Sequence, residues 1–498
     1  MSEYRISEIA SALGLLKAEV VTGADPVVKG VRADSRLVES GDIYVCMPSA
    51  SRDTHQFLPE VARAGAAAAV VHSQSVLKYA QGLGLAAIWV EPRGSRFNFV
   101  VGHLCRLIFG DPSLKMRVIG VTGTNGKTTT AWLMRQALAN LGRKAAYLGT
   151  LGYLDDDGLR EGANTTPFPV ELWGVLADAA DAGVTDLILE ASSHALQERR
   201  LAGVSFDAGV FLNLTQDHLD FHGSMENYAA AKKLLFTEWA AFSEKPYVGV
   251  INCEDDRGLE WLRELPCRSL SFGATVDADV LVAAQSVGVD RIELGVRLGD
   301  ETEEVTVPLG GGFNVQNSSA CVATLVGLGY SITEIGGAMS SVEPAPGRFE
   351  PVLSDTGVSV IVDYAHTPDA LEQLLGTVRD LGEGRVICVF GCGGDRDRSK
   401  RPKMAVAASG LADFVFVTND NPRTEDPEKI VADVLVGMSG EFSVELDRRS
   451  AIFAAVEMAQ RGDVVVIAGK GHEDYQIIGR KKEWFDDRVV AAEALAAR

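Results

Sequence analysis

The sequence predicts an α/β protein of about three domains, built on largely parallel sheets. Three observations carry this. Apolar strand-like runs alternate with helical stretches along nearly the whole chain. Its 498 residues are too many for one hydrophobic core. And one strand–loop–helix passage, V-I-G-V-T-G-T-N-G-K-T-T-T at 118–130, has the form of a phosphate cradle.

The first segment, to about residue 112, contains the strand-like run Gly41–Cys46, a helix over Leu58–Gly65 and a strand over Ala67–Val71. Gly110-Asp-Pro-Ser113 reads as a turn-rich boundary. The middle segment, 113–343, opens on the strand Val118–Val121 and a helical stretch that begins at Lys127 and Thr128 and runs on through Trp132–Leu141. Further buried strands are expected at Asp186–Glu190, Ala208–Leu212 and Tyr247–Asn252. Alternation near Ile292–Val307 suggests a smaller β region, and a long apolar helix follows over Gln316–Leu328. Glu343-Pro-Ala-Pro-Gly347 marks the second boundary. In the last segment, 344–498, strands are expected at Val358–Val362, Val386–Phe390, Phe414–Val417 and Val464–Ala468.

Composition restricts the function. The chain is 46% hydrophobic and 23% charged, with no apolar run of bilayer-spanning length and no secretory signal in MSEYRISEIA, so a cytoplasmic protein with no membrane partner is expected. A net charge of −21 leaves no basic footprint for nucleic acid, and any anionic substrate must be met by locally placed Arg and Lys. Seven cysteines lack disulfide or metal spacing; Cys388 and Cys392 read as small buried hydrophobes in a reducing compartment.

The phosphate cradle is the strongest signal. Gly123 and Gly126 let backbone N–H groups turn inward with those of Thr124 and Asn125. Lys127 reaches the terminal phosphates, and Thr128, followed by Thr129, offers a hydroxyl to Mg²⁺. The spacing is a variant, G-T-N-G-K-T, because the usual first glycine position is Val121. ATP binding is the reading.

Catalytic residues of open α/β sheets gather at the carboxyl ends of strands. Glu190 ends one such strand and is placed to hold Mg²⁺ directly or through water. Ser192 and Ser193, just beyond it, fit a helix N-cap as well as a substrate contact. The stretch Asn213–His222 packs two histidines, 218 and 222, among two aspartates, which favours metal or phosphate work beside such a loop. Lys232 reads as a solvated helix lysine, and His72 and His103 as structural. In the last segment four polar loops each follow a strand: 363–369, 391–398, 418–423 and 469–475. Together they would form a pocket rich in Arg and carboxylate, suited to a zwitterion.

These blocks together resemble the Mur ligases, ATP-dependent amide-forming enzymes of peptidoglycan precursor synthesis. The matching residues are T-G-T-N-G-K-T-T (122–129), E-A-S-S-H-A-L (190–196), N-L-T-x-D-H-L-D-x-H-G (213–223), Y-x-x-A-K (228–232), F-N-V-x-N (313–317), P-G-R-F-E (346–350), D-Y-A-H-T-P-D (363–369) and G-K-G-H-E-D-Y-Q (469–476). The resemblance spans all three segments. It implies a uridine-nucleotide domain (1–112), a central P-loop-type ATPase domain (113–343) and a C-terminal Rossmann-like amino-acid domain (344–498). It also implies a carbamate, derived from CO₂, on Lys232, which would ligate a second Mg²⁺ beside His218. Asn314, Arg348 and Asp363 match residues that contact ATP. Asn164, Thr165, Thr166, Ser192 and Arg200 match residues that hold the muramoyl peptide, and Ser35 one that holds the uridine nucleotide. Asp420-Asn421-Pro422-Arg423 is the sequence associated in the family with meso-2,6-diaminopimelate rather than lysine, with Arg396, Gly469 and Glu473 in the same pocket. The implied partners are therefore UDP-N-acetylmuramoyl-L-alanyl-D-glutamate and diaminopimelate, acted on by a monomer. Two positions depart from the family pattern: Thr54 replaces the glycine of a D-G-H-x-F block, and Glu198 stands where Gln is frequent. The competing readings are a lysine-adding member, a folylpolyglutamate synthetase-like ligase, and a simple P-loop ATPase that would leave the four late loops idle.

Overall fold

The computed structural model describes residues 3–15, 20–21, 25–49, 52–92, 95–382 and 384–498. Two compact units are present, Met1–Asp279 with Ala323–Tyr330, and Val280–Val322 with Ser331–Arg498.

The first unit contains two sheets that matter for the site. Near the start, Gly30–Arg32, Asp42–Val45, Ala68–Val71 and Ala86–Trp89 run parallel in that order, with Val20–Val21 antiparallel at the edge. The larger sheet runs Gly158–Arg160, Gly152–Asp155, Ala145–Gly149, Asp186–Glu190, Arg117–Thr122, Ala208–Phe211, Val248–Asn252, Ser269–Gly273. Its first three strands form an antiparallel hairpin edge; from Ala145–Gly149 onward the pairs are parallel. Parallel strands covered on both faces carry uninterrupted apolar runs, which is why V-I-G-V and L-I-L show in the sequence. The short strands at 145–160 and 269–273 gave no comparable signal.

Arg117–Thr122 lies in the middle, between Asp186–Glu190 and Ala208–Phe211, with Val121 opposite Glu190 and Thr122 opposite Phe211. Three carboxyl ends therefore emerge side by side. The helix after the first runs Lys127–Asn140, starting at the lysine itself, with Gly126 before it in a left-handed conformation (φ 86°) that a side chain would strain. A further helix, Met225–Phe242, is capped by Ser224, whose hydroxyl accepts from Asn227 N.

At the opposite, amino end of the sheet, Asp186 is fully buried and pairs with Arg117 and with Arg143 Nε (2.9 Å). It ties two strands to the turn before a third.

In the second unit, Val280–Val287, Ile292–Leu298 and Glu301–Val307 form the expected small β region, as an antiparallel meander. The helix Phe313–Gly327 begins three residues ahead of the expected start. The last sheet runs Glu350–Val352, Ser359–Asp363, Val464–Ala468, Val386–Phe390, Phe414–Val417, Phe442–Val444, parallel except at its first pair. This is a doubly wound order, in which chain order and sheet order part company at the inserted strand Val464–Ala468. All seven cysteines are free thiols, and Cys388 and Cys392 are buried. No helix among the described residues is long and apolar enough to cross a membrane.

Replacing Asp186 by Ala removes the shared acceptor of two arginines. We expect a loss of about 1–3 kcal/mol in urea unfolding, with Asp186→Asn intermediate. An unchanged unfolding curve for Asp186→Ala would show that the pair contributes nothing.

Candidate active site

The phosphate loop is held open from below by side chains of its neighbours. Asn213, one residue past the strand Ala208–Phe211 and Leu212, accepts through Oδ1 from Thr124 N (3.1 Å) and Asn125 N (2.9 Å). Thr124 Oγ1 donates to Thr215 O (3.2 Å) and accepts from Tyr228 OH (3.2 Å). Gly123 has no room for a side chain: a Cβ there would stand 2.8 Å from Leu212 Cβ. Lys127 Nζ donates to Gly123 O (2.9 Å) and Thr124 O (2.8 Å), poised over the loop. Thr128 and Thr129 are buried in the first helical turn.

Lys232 is not a solvated helix lysine. It is 1% exposed, and its Nζ donates to Gly123 O at 2.7 Å. The reason lies in its helix, whose buried face is Tyr228, Lys232, Leu235 and Trp239, so the lysine sits on the apolar stripe. That 4-3-4 spacing was readable in the sequence and is the signal that would have found it. Burial, together with the nearby Lys127 charge, holds its pKa well below the usual lysine range, against the opposing effect of Asp217. Tyr228 presents its ring 4.3 Å from the Nζ.

Glu190 is buried and orientated by residues the sequence did not single out. Tyr147 OH (2.5 Å) and Thr150 N (2.9 Å) donate to Oε1, and Thr150 Oγ1 (3.2 Å) to Oε2. A hydroxyl network extends from there. Thr150 Oγ1 meets Thr165 Oγ1 (3.1 Å), and Thr166 Oγ1 donates to Glu190 O (2.6 Å) and meets Ser192 Oγ (3.1 Å). Ser192 is also the N-cap of Ser193–Gln197, its hydroxyl accepting from Ala195 N, which is the capping role considered for it. Arg200 NH1 donates to Thr166 O (3.0 Å), its guanidinium lies over Phe168, and Glu198 pairs with it at 2.7 Å. Asn164 lines a small adjoining cavity of about 130 Å³ with Tyr153, Arg160 and Glu161.

His218 stands at the rim with a half-exposed side chain, in a left-handed backbone (φ 52°) that opens Leu219–His222. Its ring is 4.8 Å from His194 and 6.1 Å from Tyr228. His222 is buried, with Nε2 3.0 Å from Ser193 Oγ. Farther away, Ser35 opens a short turn, Ser35–Leu37, capped by Asp34. It lines a groove of about 1040 Å³ together with Arg32, Tyr44, Arg52 and Phe57. Thr54 donates to Met47 O (2.8 Å) at that groove.

In the second unit the four polar loops do converge, since they leave the carboxyl ends of four parallel strands. Asn421 Nδ2 donates to Glu473 Oε2 (2.7 Å), while Asn421 Oδ1 accepts from Ile477 N (2.9 Å). Lys470, fully buried and unremarked in the sequence, reaches Asn421 Oδ1 and Glu473 Oε2, each at 3.3 Å. Arg423 has a left-handed backbone (φ 51°), an uncommon conformation for a long side chain. It is held there by the hairpin Tyr475–Ile478/Lys481–Trp484: Arg423 N donates to Ile477 O (2.9 Å) and Gly479 N to Arg423 O (2.7 Å). Its NH1 donates to Gly394 O (3.0 Å), close over Gly393. Pro422 is buried beside it, a Cβ on Gly469 would stand 2.8 Å from Asp420 Oδ2, and Arg396 is exposed on the neighbouring loop.

The expected nucleotide residues of this unit also adjoin one another in part. Asp363 accepts from Phe349 N (2.7 Å) and Ala365 N (2.8 Å); burial pushes its pKa up, against the pull of Arg348. Arg348 lies over the Tyr364 ring at 4.9 Å, with its Nε buried and unpartnered. Asn314 is buried at the start of Phe313–Gly327, bonded to Gly310 O (2.7 Å) and Asn317.

A phosphate loop with a lysine, a fixed carboxylate beside it and a cluster of Arg- and carboxylate-bearing loops on a second α/β unit are features of an ATP-dependent carbon–nitrogen ligase. Residues 121–325 match the Mur ligase middle domain, and residues 347–471 the Mur ligase glutamate ligase domain. A relative from Syntrophomonas wolfei, named UDP-N-acetylmuramoyl-L-alanyl-D-glutamate--2,6-diaminopimelate ligase, is 40% identical over 95% of this chain and 96% of its own. One of the same name from Trichormus variabilis is 42% identical, over 95% of each chain. A solved structure of that name aligns with a TM-score of 0.69 and 33% identity, covering 100% of this chain and 99% of the other. The chain belongs to the Mur ligase family.

His472 yields a pH prediction. Burial first, then Arg348 and Arg488, lowers its pKa to about 4, against about 6.5 for a free histidine. The unfolded chain therefore binds a proton that the folded chain refuses, and stability is lost as pH falls from about 6.5 towards 4. His472→Phe should flatten that limb of a urea-midpoint profile. An identical slope in the variant would assign the acid sensitivity elsewhere.

Proposed function

We propose that this chain joins meso-2,6-diaminopimelate to UDP-N-acetylmuramoyl-L-alanyl-D-glutamate, with ATP, in the supply of peptidoglycan precursors. The observation that carries the amino-acid assignment is Arg423, held by the hairpin in a strained backbone with its guanidinium over Gly393–Gly394. The names of the relatives at 40–42% identity point to the same substrates. On this reading the chain works as a cytoplasmic monomer divided at about residues 112 and 343.

A carboxylate is a poor acylating agent. A carboxylate of the acceptor first attacks the γ-phosphorus of ATP and expels ADP, giving an acyl phosphate. The amine of the amino acid then attacks the acyl carbon, and phosphate leaves. Lys127 exchanges its two loop carbonyls for phosphate oxygens and follows the charge through the transfer. Asn314, Arg348 and Asp363 receive the nucleotide, with the unpartnered Arg348 Nε available to it. Asn164, Thr165, Thr166, Ser192 and Arg200 hold the muramoyl peptide, and Ser35 its uridine end.

The oxygen donors Thr128 and Glu190 suit Mg²⁺, and His218 with a carbamate on Lys232 would hold a second ion. When bound, the ions neutralise the phosphate charge. The buried, low-pKa amine of Lys232 fits carbamylation, because only the neutral amine attacks CO₂.

Diaminopimelate differs from lysine by a carboxylate on the distal carbon. Arg423 pairs with it, Asn421 and Glu473 take the distal ammonium, and Arg396 the other carboxylate. The test is a panel of amino acids with ATP, Mg²⁺ and the UDP-muramoyl dipeptide, scored by product mass. We expect the diaminopimelate adduct and little lysine adduct. Arg423→Ala should raise the diaminopimelate KM by about 10–100-fold, the worth of a charged hydrogen-bond pair, with the other two KM values unchanged. Equal use of lysine by wild type, or unaltered preference in the variant, would refute the assignment.

Lys232→Ala should be inactive and partly rescued by a short carboxylic acid. With ¹³C-bicarbonate, wild type should show a carbamate resonance that the variant lacks. A wild type that is active without such a resonance would remove the carbamate from the scheme.

A further inference from the structure

Two helices of the second unit, Arg448–Met458 and Asp487–Ala496, begin with residues whose side chains are wholly buried against each other. Arg448 Nε donates to Asp487 Oδ1 (2.8 Å) and NH2 to Oδ2 (2.7 Å), a bidentate pair. The same guanidinium donates from NH1 to Asn419 O (3.2 Å) and from NH2 to Ala468 O (3.1 Å). Asn419 immediately precedes the loop Asp420–Arg423, and Ala468 immediately precedes Gly469–Glu473.

The strands that carry these loops, Phe414–Val417 and Val464–Ala468, are not neighbours: Val386–Phe390 lies between them. No backbone ladder joins the two loop bases directly. The guanidinium spans the intervening strand and bonds both. Asp420 and Glu473 also lie within electrostatic reach of its charge.

A buried ion pair is a poor means of gaining stability, since apolar residues of similar volume hold a core as well or better. What it supplies is direction, through four oriented hydrogen bonds from one rigid plane.

We propose that Arg448, seated by Asp487, is a positioning residue for the amino-acid pocket. It sets the spacing between the Asp420–Arg423 loop and the Gly469–Glu473 loop, and with it the affinity for the incoming amino acid. The identity of that amino acid rests on the function proposed above; the positioning role does not.

The test is steady-state kinetics on the full chain. Wild type is assayed first: if it rejects diaminopimelate, only the substrate reading fails, and the amine it does accept is used thereafter. The paired exchange Arg448→Met with Asp487→Leu should fold with a thermal midpoint near wild type. Its KM for the amino acid should rise between about tenfold and a hundredfold, the cost of a misplacement of about 1 Å. The KM values for ATP and the UDP-muramoyl dipeptide should not move. Arg448→Lys, which keeps the charge and loses the fork, should show the same split, smaller. A folded paired variant with a wild-type amino-acid KM, or with all three KM values raised alike, would overturn the proposal. Should the paired variant not fold, Asp487→Asn takes its place, with the same split expected and its absence equally decisive.

Discussion

Two ammonium groups converge on one carbonyl. Gly123 O accepts from Lys127 at 2.9 Å and from Lys232 at 2.7 Å. Water is excluded from Lys232, so the second charge is costly there, and the amine is driven towards its neutral form. Both lysines thus depend on the position of Gly123 O. Much around it serves to keep that carbonyl in place: Asn213 under the loop amides, Tyr228 and Thr215 on Thr124, and Leu212 filling the space where a side chain on Gly123 would go.

The same logic governs the charged groups of the second unit. In a chain of net charge −21, buried cations are neutralised individually. Arg401 is taken up by Glu425 and Asp433, Arg448 by Asp487, and Lys470 by Glu473. Among the described residues the Arg423 guanidinium donates to the carbonyls of Gly394 and Asn421, and Arg396 donates weakly to Asp395 O (3.5 Å). Carbonyls satisfy donors without cancelling charge. Arg200, by contrast, is paired with Glu198.

What the sequence disclosed follows from geometry. Parallel strands buried on both faces leave unbroken apolar runs, so the strands and the polar loops at their carboxyl ends were legible, including Glu190, Lys127 and the Asp420–Arg423 loop. Antiparallel edges such as Gly152–Asp155 leave no such run. Lys232 was misread because charge was weighed above periodicity, although Tyr228, Leu235 and Trp239 place it on the buried stripe. Tyr147, Thr150 and Lys470 left no local signal because each has a partner that is distant in sequence, Glu190 for the first two and Asn421 for the third, and Arg448 left none because it bonds carbonyls, which every residue has.

Strand order alone decides which loops share an edge, yet neighbours in a pocket need not be neighbours in the sheet. The loops after Phe414–Val417 and Val464–Ala468 are separated by a strand, and hydrogen bonds between adjacent strands constrain their distance only in two steps. Side chains close the gap: Arg448 joins the loop bases, while Asn421, Lys470 and Glu473 join the loops themselves. The hairpin Tyr475–Trp484 adds a third tie by holding Arg423 in its left-handed turn. The spacing of these loops therefore rests on few positions, since each tie is made by one side chain and the strands beneath remain as they are.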